Sequence, residues 1–342
     1  MQQIIFGKTN LTVSRTGFGC IPIQRIPYEE STALLQHAYE SGVTLYDTAN
    51  GYTTSEDRIG VALHHVRDKI VLCTKSAAQT PDKLMEDIEN SLKMLRTDYI
   101  DIFQLHNPSF MPRPESEDGL YICALKAKAQ GKIRHIGITA HSKDNAKEAV
   151  LSGLYDTLQY PISYLSSNEE LALIALCREH NMGLLAMKGL CGGLISNAKA
   201  AFAFLRQYEN VIPIWGIQKM SELDEFLLYE NEPPLLDNVL LSAIETDKAK
   251  LSGNFCRCCG YCLPCPVGIP INNAARITFL AGRAVKEHWL SEEWQKNMRL
   301  IDDCIGCGHC KQHCPYGLDV PALLKIQQAE FFKLVAAKGG VE

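Results

Sequence analysis

The chain has no apolar run of the roughly 18 residues that a membrane-spanning helix needs, so no membrane span is expected. Its first residues, Met1, Gln2, Gln3 and Ile4, lack the basic start and apolar stretch of an export signal. A cytoplasmic protein is expected. Positive charge is scarce as well: 34 Lys plus Arg stand against 39 Asp plus Glu, a formal charge of -5. That argues against a basic surface for nucleic acid. A glycine-rich phosphate loop is also missing. Gly17, Phe18 and Gly19 are followed by Cys20, Ile21, Pro22 and Ile23, which does not continue the G-x-G-x-x-G pattern of a doubly wound sheet. That open sheet is therefore the second choice of fold. The remaining composition, 46% hydrophobic and 21% charged over 342 residues, is that of a soluble chain. It suffices for one large α/β domain and a smaller module.

Cysteine is the residue in excess. Five of the 14 are scattered singly (Cys20, Cys73, Cys123, Cys177 and Cys191), and nine crowd between Cys256 and Cys314. Single cysteines read as small core residues. A cluster in a chain without an export signal suggests metal or cluster ligands rather than disulfides.

After a hairpin at 3–13, strand-like apolar segments alternate with helical ones. Strands at 15–20, 44–48, 69–75, 99–106, 133–139, 157–160, 183–188 and 211–216 are each followed by a helix. These helices lie at 29–41, 55–66, 81–95, 120–130, 145–152, 168–179, 198–208 and 221–229. Eight strand–helix repeats predict a (β/α)8 TIM barrel over 1–239. Beyond Pro233 and Pro234 the alternation stops. Helices are expected at 239–252, 271–285, 292–300 and 321–334, which makes 240–342 a small helical domain.

Four polar residues fall at or just past strand ends: Asp47, Tyr52, Lys75 and His106. All strand C-termini of a barrel face one side, so the four should converge. Their chemistry is coherent. A phenol with a pKa near 10 is a weak acid at neutral pH. A nearby Lys75 ammonium should lower that value, with Asp47 holding the ammonium in place. His106 can hydrogen-bond a carbonyl oxygen, and the set can protonate an alkoxide.

The run from Tyr46 through Asp47 to Tyr52, the strand end Thr74 and Lys75, and the strand end Gln104, Leu105 and His106 resemble the aldo/keto reductase superfamily over most of 3–230. The resemblance implies an oxidoreductase that binds NAD(P)H on the barrel without a Rossmann domain. Hydride would pass to the carbonyl carbon of a small carbonyl substrate, or back from an alcohol, with Tyr52 as proton donor. It also implies nucleotide contacts. Gln159 matches the glutamine that holds the carboxamide. Thr139 and Ala140 stand where the family has Ser and Asn, with His141 next. Met187, followed by Lys188, takes the place of a stacking aromatic. Gly216, Gln218 and Lys219 match the loop that meets the adenosine phosphate. Glu222 lies where NADP-binding members often carry Arg, which leans towards NADH and leaves NADPH open.

In the tail, Cys304, Cys307, Cys310 and Cys314, then Pro315, form C-x2-C-x2-C-x3-C-P, the bacterial ferredoxin run. Cys256, Cys259, Cys262 and Cys265, then Pro266, form a shorter version with Cys258 spare. Two zinc knots are the alternative, but Cys-Pro closing both runs favours two [4Fe-4S] clusters. In two-cluster ferredoxins the fourth cysteine of each run serves the other cluster. That groups Cys265 with Cys304, Cys307 and Cys310, and Cys314 with Cys256, Cys259 and Cys262. The whole chain is similar to bacterial aldo/keto reductases with a C-terminal [4Fe-4S] domain of α-helical ferredoxin type, for which a redox partner protein is expected. The competing function is an electron carrier or redox sensor whose barrel binds nucleotide without turnover.

Overall fold

The computed structural model describes residues 1–251, 255–283 and 286–339. It divides into two compact units, 1–189 with 199–241, and 190–198 with 242–342. Among the described residues no helix is long and apolar enough to cross a membrane.

In the first unit a hairpin of β1 (Gln3–Ile5) and β2 (Thr12–Ser14) precedes a closed parallel barrel. The barrel strands are β3 (Gly17–Gly19), β4 (Leu45–Asp47), β5 (Val71–Ser76), β6 (Ile100–His106), β7 (Ile133–Thr139), β8 (Thr157–Pro161), β9 (Gly183–Met187) and β10 (Val211–Gly216). They pair in chain order, and β10 closes on β3. β5 is buried along its whole length, as a strand covered on both faces must be. Between the strands run α1 (Tyr28–Glu40), α2 (Ser55–Leu63), α3 (Pro81–Leu95), α4 (Leu120–Ala129), α5 (Lys143–Ser152), α6 (Asn168–Glu179) and α7 (Ala198–Arg206), and α8 (Met220–Asn231) follows β10. Local chemistry sets their ends. Pro81 opens α3 behind a Thr80 cap, and Ser167 and Glu170 form a reciprocal capping box on α6.

Register is what positions the site. The ladder pairs Gly19 with Asp47, Lys75 with Gln104, His106 with Thr139, and Thr139 with Gln159. Parallel strands in this register bring those side chains to one rim. A glycine makes room inside: a Cβ on Gly137 would lie 2.2 Å from Thr157 Oγ1 and 3.0 Å from Gln104 Cγ.

The second unit contains most of α9 (Asn238–Lys250), then α10 (Ile271–Ala274), α11 (Ile277–Arg283), α12 (Lys286–Trp289), α13 (Glu292–Arg299), α14 (His309–Gln312) and α15 (Val320–Gly339). Its core is built from Ile271, Ile277, Trp294, Met298, Ile301 and Phe331, with the buried Cys262 among them. Two features depart from the sequence reading. Residues 190–198, expected within the barrel, group with this unit. The helix expected over 271–285 breaks after Ala274, and its last two residues, like the last residue of the helix expected over 239–252, lie outside the described residues. The break has a local cause. The backbone N–H of Arg276 bonds Asn273 O at 3.0 Å, while its side-chain Nε donates to Asn272 O at 3.1 Å. The carbonyl a continuing α-helix would use is thus taken by the guanidinium, and the turn tightens.

Candidate functional site

Asp47 ends β4 and Lys75 lies near the end of β5; both are almost fully buried, at 3% and 1% exposure. A buried ion pair holds only if its remaining donors and acceptors are satisfied, and here they are. Lys75 Nζ donates to both Asp47 oxygens, at 2.7 and 2.8 Å, and to Thr48 O at 2.6 Å. Gln104 Nε2 donates to Asp47 Oδ1 at 3.2 Å, and Gln159 Nε2 to Asp47 Oδ2 at 3.3 Å. The two amides also bond each other, Gln104 Nε2 to Gln159 Oε1 at 2.9 Å. Burial pushes the Asp47 carboxyl up from its ordinary value, and Lys75 and the two amides pull it partly back.

Tyr52 stands on the loop between β4 and α2. The loop is pinned where it starts and ends: Thr48 Oγ1 donates to Ser55 Oγ at 2.8 Å, and Ser55 Oγ to Cys20 O at 2.9 Å. The half-buried Tyr52 ring meets the His106 ring edge-on, with 6.1 Å between centroids. Lys75 Nζ lies 5.5 Å from the centre of the phenol ring. Tyr46, the other phenol of the motif, is fully buried and donates to Val43 O at 3.1 Å. It is part of the core.

The electrostatics overturn one expectation. Lys75 does not lower the Tyr52 pKa. Burial, and then the negative charge of Asp47, push it well above 10.0. The leading cause is burial, which penalises the phenolate, and the Asp47 carboxylate adds to it. His106 moves the other way, down to about 3, through burial first and then the charges of Lys75 and Lys188. At neutral pH the rim therefore presents a neutral phenol and a neutral imidazole above the buried Asp47–Lys75 pair.

The residues expected to touch nucleotide fall into two groups. Thr139, Gln159 and Met187 lie with the ion pair. Thr139 Oγ1 is buried without a hydrogen-bond partner, and Gln159 Nε2 is 3.8 Å from Met187 Sδ. Gln159, expected to hold a carboxamide, has both ends of its own amide engaged by Asp47, Lys75 and Gln104. Gly216, Gln218, Lys219 and Glu222 form the second group, around the start of α8. There Glu222 Oε2 accepts from Gln218 N at 2.9 Å and Lys219 N at 3.2 Å.

Gln104 is the residue that the sequence reading missed. The signal was available: in a strand with period two it shares a face with His106, and it is a polar residue in the middle of the apolar strand β6.

In the helical unit the cysteines line two cavities. One is walled by Cys256, Cys259, Cys262 and Cys314 with Arg257 and Tyr316. The other is walled by Cys265, Cys304, Cys307 and Cys310, with His309 and again Cys262. Each run thus sends its last cysteine to the cavity of the other. Cys258 lines neither, and its Sγ accepts from Asn272 Nδ2 at 3.7 Å. Among the described residues no three such side chains stand close enough to share a single ion, and the thiols instead spread over the cavity walls. Burial pushes Cys256 up to about 11 and Cys262 up to about 12. Neighbouring thiols add to this at both positions, and a bound cationic centre would favour their thiolates. The donor set and its spread fit a multi-iron group.

Comparison with known proteins agrees with both units. Residues 3–203 match the model of the aldo/keto reductase family, and residues 255–319 that of the 4Fe-4S dicluster domain. The aldo-keto reductase YhdN of Bacillus subtilis is 28% identical over 216 residues, covering 57% of this chain and 64% of that protein. The NADH-specific methylglyoxal reductase of Escherichia coli is 29% identical over 228 residues, covering 57% and 69%. An aldo-keto reductase from Klebsiella pneumoniae, solved in complex with NADPH, superposes with a TM-score of 0.63 at 21% identity, covering 72% of this chain and 94% of that one.

Proposed function

Because the chain belongs to the aldo/keto reductase family and carries a 4Fe-4S dicluster domain, we propose that it reduces a small aldehyde or ketone, or oxidises the corresponding alcohol, with NAD(P)H as partner. The observation that carries this reading is the pairing of Tyr52 and His106 above the closed Asp47–Lys75 pair. A bound nicotinamide supplies the hydride, two electrons and one proton's worth of hydrogen, to the carbonyl carbon. His106, neutral, donates a hydrogen bond to the carbonyl oxygen and orients it. Tyr52 gives its phenolic proton to that same oxygen as negative charge develops there. A raised phenol pKa does not prevent this, since an alkoxide is a far stronger base than a phenolate. It keeps Tyr52 protonated until it is needed. The Asp47–Lys75 pair, held by Gln104 and Gln159, fixes the floor under the phenol.

Thr139, with a buried and unpartnered hydroxyl, is a candidate contact for the nicotinamide amide, beside Gln159 and Met187. For the adenosine end we favour NADH. The start of a helix is a natural phosphate site, but just ahead of α8 the Glu222 carboxylate already accepts from the backbone N–H groups of Gln218 and Lys219. A further phosphate would meet that carboxylate, with Lys219 beside it as a cation. The E. coli relative named as NADH-specific points the same way.

In the tail we assign two [4Fe-4S] clusters, one to Cys256, Cys259, Cys262 and Cys314 and one to Cys265, Cys304, Cys307 and Cys310. Each bound cluster supplies one-electron storage. Cys304 and Cys307 are exposed, and this edge is where a redox partner protein would exchange electrons. None of the fourteen cysteines forms a disulfide, which suits a reducing compartment such as the cytoplasm.

The test is initial-rate kinetics on a panel of small aldehydes and ketones with NADH and with NADPH. Turnover with NADH is expected. Nucleotide binding with no turnover on any substrate would instead favour a carrier or sensor. In the same assay, Glu222→Arg is expected to shift the NADPH-to-NADH ratio of kcat/KM by about 10- to 100-fold towards NADPH, the worth of a hydrogen bond to a charged group. An unchanged ratio would remove Glu222 from the nucleotide site.

A further inference from the structure

Among the described residues of the helical unit, one side-chain nitrogen is buried without a hydrogen-bond partner: Nε2 of His309. Buried polar groups are nearly always paired, and one that is not calls for an acceptor. The imidazole sits in the wall of the cavity that Cys265, Cys304, Cys307 and Cys310 share. Its place is set by the chain around it. Gly306 and Gly308 turn the loop at φ +64° and +74°, values that a residue with a Cβ adopts only under strain. The ring stacks on that of His313, with 4.0 Å between centroids and 29° between planes. His313 Nδ1 in turn lies 2.8 Å from the His309 carbonyl oxygen. The other thiol-lined cavity has no imidazole and is walled by Arg257 and Tyr316 instead. The two cavities thus match in thiols and differ in their polar walls.

We propose that His309 donates a hydrogen bond from Nε2–H to a sulfur of the cluster held by Cys265, Cys304, Cys307 and Cys310, and that this bond raises the reduction potential of that cluster. The proposal rests on the two-cluster reading above. Hydrogen bonds to the sulfurs are among the factors that set the potential of such a centre. A donor favours the reduced form, which carries one more negative charge, so electrons settle on this centre. It is also the centre with two exposed ligands, Cys304 and Cys307. His309 is a positioning and tuning residue in this account, and no ligand role is assigned to it.

The experiment is an EPR-monitored redox titration of the full chain after anaerobic reconstitution, as wild type, His309→Leu and His309→Gln, with iron and sulfide counted in each. In His309→Leu, iron should be retained and the reduced-to-oxidised ratio of one centre at fixed potential should fall about tenfold, a shift of about 59 mV to lower potential for a one-electron couple. The other centre should not move. His309→Gln keeps an N–H donor and should recover most of the shift. Potentials unchanged in both variants would overturn the proposal. Should His309→Leu lose iron, pulsed EPR of the reduced wild type labelled with 15N-histidine decides. Weak coupling to one histidine nitrogen supports the hydrogen bond. No coupling, or the strong coupling of a directly bound nitrogen, overturns it. A wild-type count of about four irons rather than eight would contradict the two-cluster reading, and His309 would still be tested on the centre that remains.

Discussion

Replacing Tyr52 by Phe is expected to lower kcat/KM for carbonyl reduction by about 10²- to 10⁴-fold, the usual loss when a positioned acid is removed, while nucleotide affinity stays near that of the wild type. The ring, its edge contact with His106 and its place beside Lys75 survive the change. Only the transferable proton goes. Tyr46 cannot take over, since its hydroxyl is buried and bonded to Val43 O. The wild-type pH profile follows from the same site, and its signs can be worked out. In the proposed mechanism Tyr52 acts in its protonated form, so activity should be lost only as pH rises through a pKa well above 10.0. In the same mechanism His106 acts in its neutral form, so activity should be lost only as pH falls towards about 3. Between those limits the profile should be flat, with no limb near the ordinary imidazole value of about 6.5. A limb between pH 6 and 7 that disappears in a His106 variant would show that this imidazole titrates freely and that the neutral-donor account is wrong. A Tyr52→Phe enzyme with the wild-type rate would remove Tyr52 from the chemistry altogether.

Replacing Cys314 by Ser is expected to halve the iron, from about eight to about four per chain, and to remove the centre whose other ligands are Cys256, Cys259 and Cys262. The argument is spatial. Cys314 is last in its own run, yet it lines the cavity of the other, while Cys265 makes the reverse exchange. Cys262 lines both cavities, so the two centres would share a wall, and the reduced wild type should show magnetic interaction between them. In Cys314→Ser that interaction should vanish and leave one isolated centre. If the surviving centre were instead the one belonging to Cys256, Cys259 and Cys262, each run would close on its own metal and the exchanged ligand sets would be wrong.

The barrel was legible in the sequence because buried parallel strands are apolar on both faces and end on polar residues. Val71–Ser76 and Ile100–His106 each carry that signature, and Asp47, Lys75 and His106 are the polar ends. What escaped was chemistry that depends on more than one strand. In the sequence Gln104 is a polar neighbour of His106, and nothing along β6 reveals that its amide will meet Asp47 from β4 and Gln159 from β8. The tuning of Tyr52 was misread for a related reason. The sequence supplied a cation nearby and a carboxylate to hold it, but not the burial of the phenol, which is the leading cause of its raised pKa. In the tail, spacing located the thiols, yet the break between Ala274 and Ile277 depends on where a long side chain bonds, which helical periodicity does not encode.

The segment Leu190–Ala198 has a consequence for how such a chain can be inherited. It follows Met187 and Lys188 closely along the sequence, yet it groups with the residues after Leu241. Arg276 Nη1 donates to Gly192 O at 2.6 Å, and a Cβ on Gly192 would fall 2.9 Å from that same nitrogen and 3.2 Å from Cys258 Cβ. The tail and this short loop are therefore one structural piece in two stretches of the chain. Recombination that exchanged the tail at the obvious seam near Pro233 would bring in a partner for Gly192 selected against a different loop. Tail and loop should accordingly travel and drift together, while the rest of the barrel diverges at its own pace.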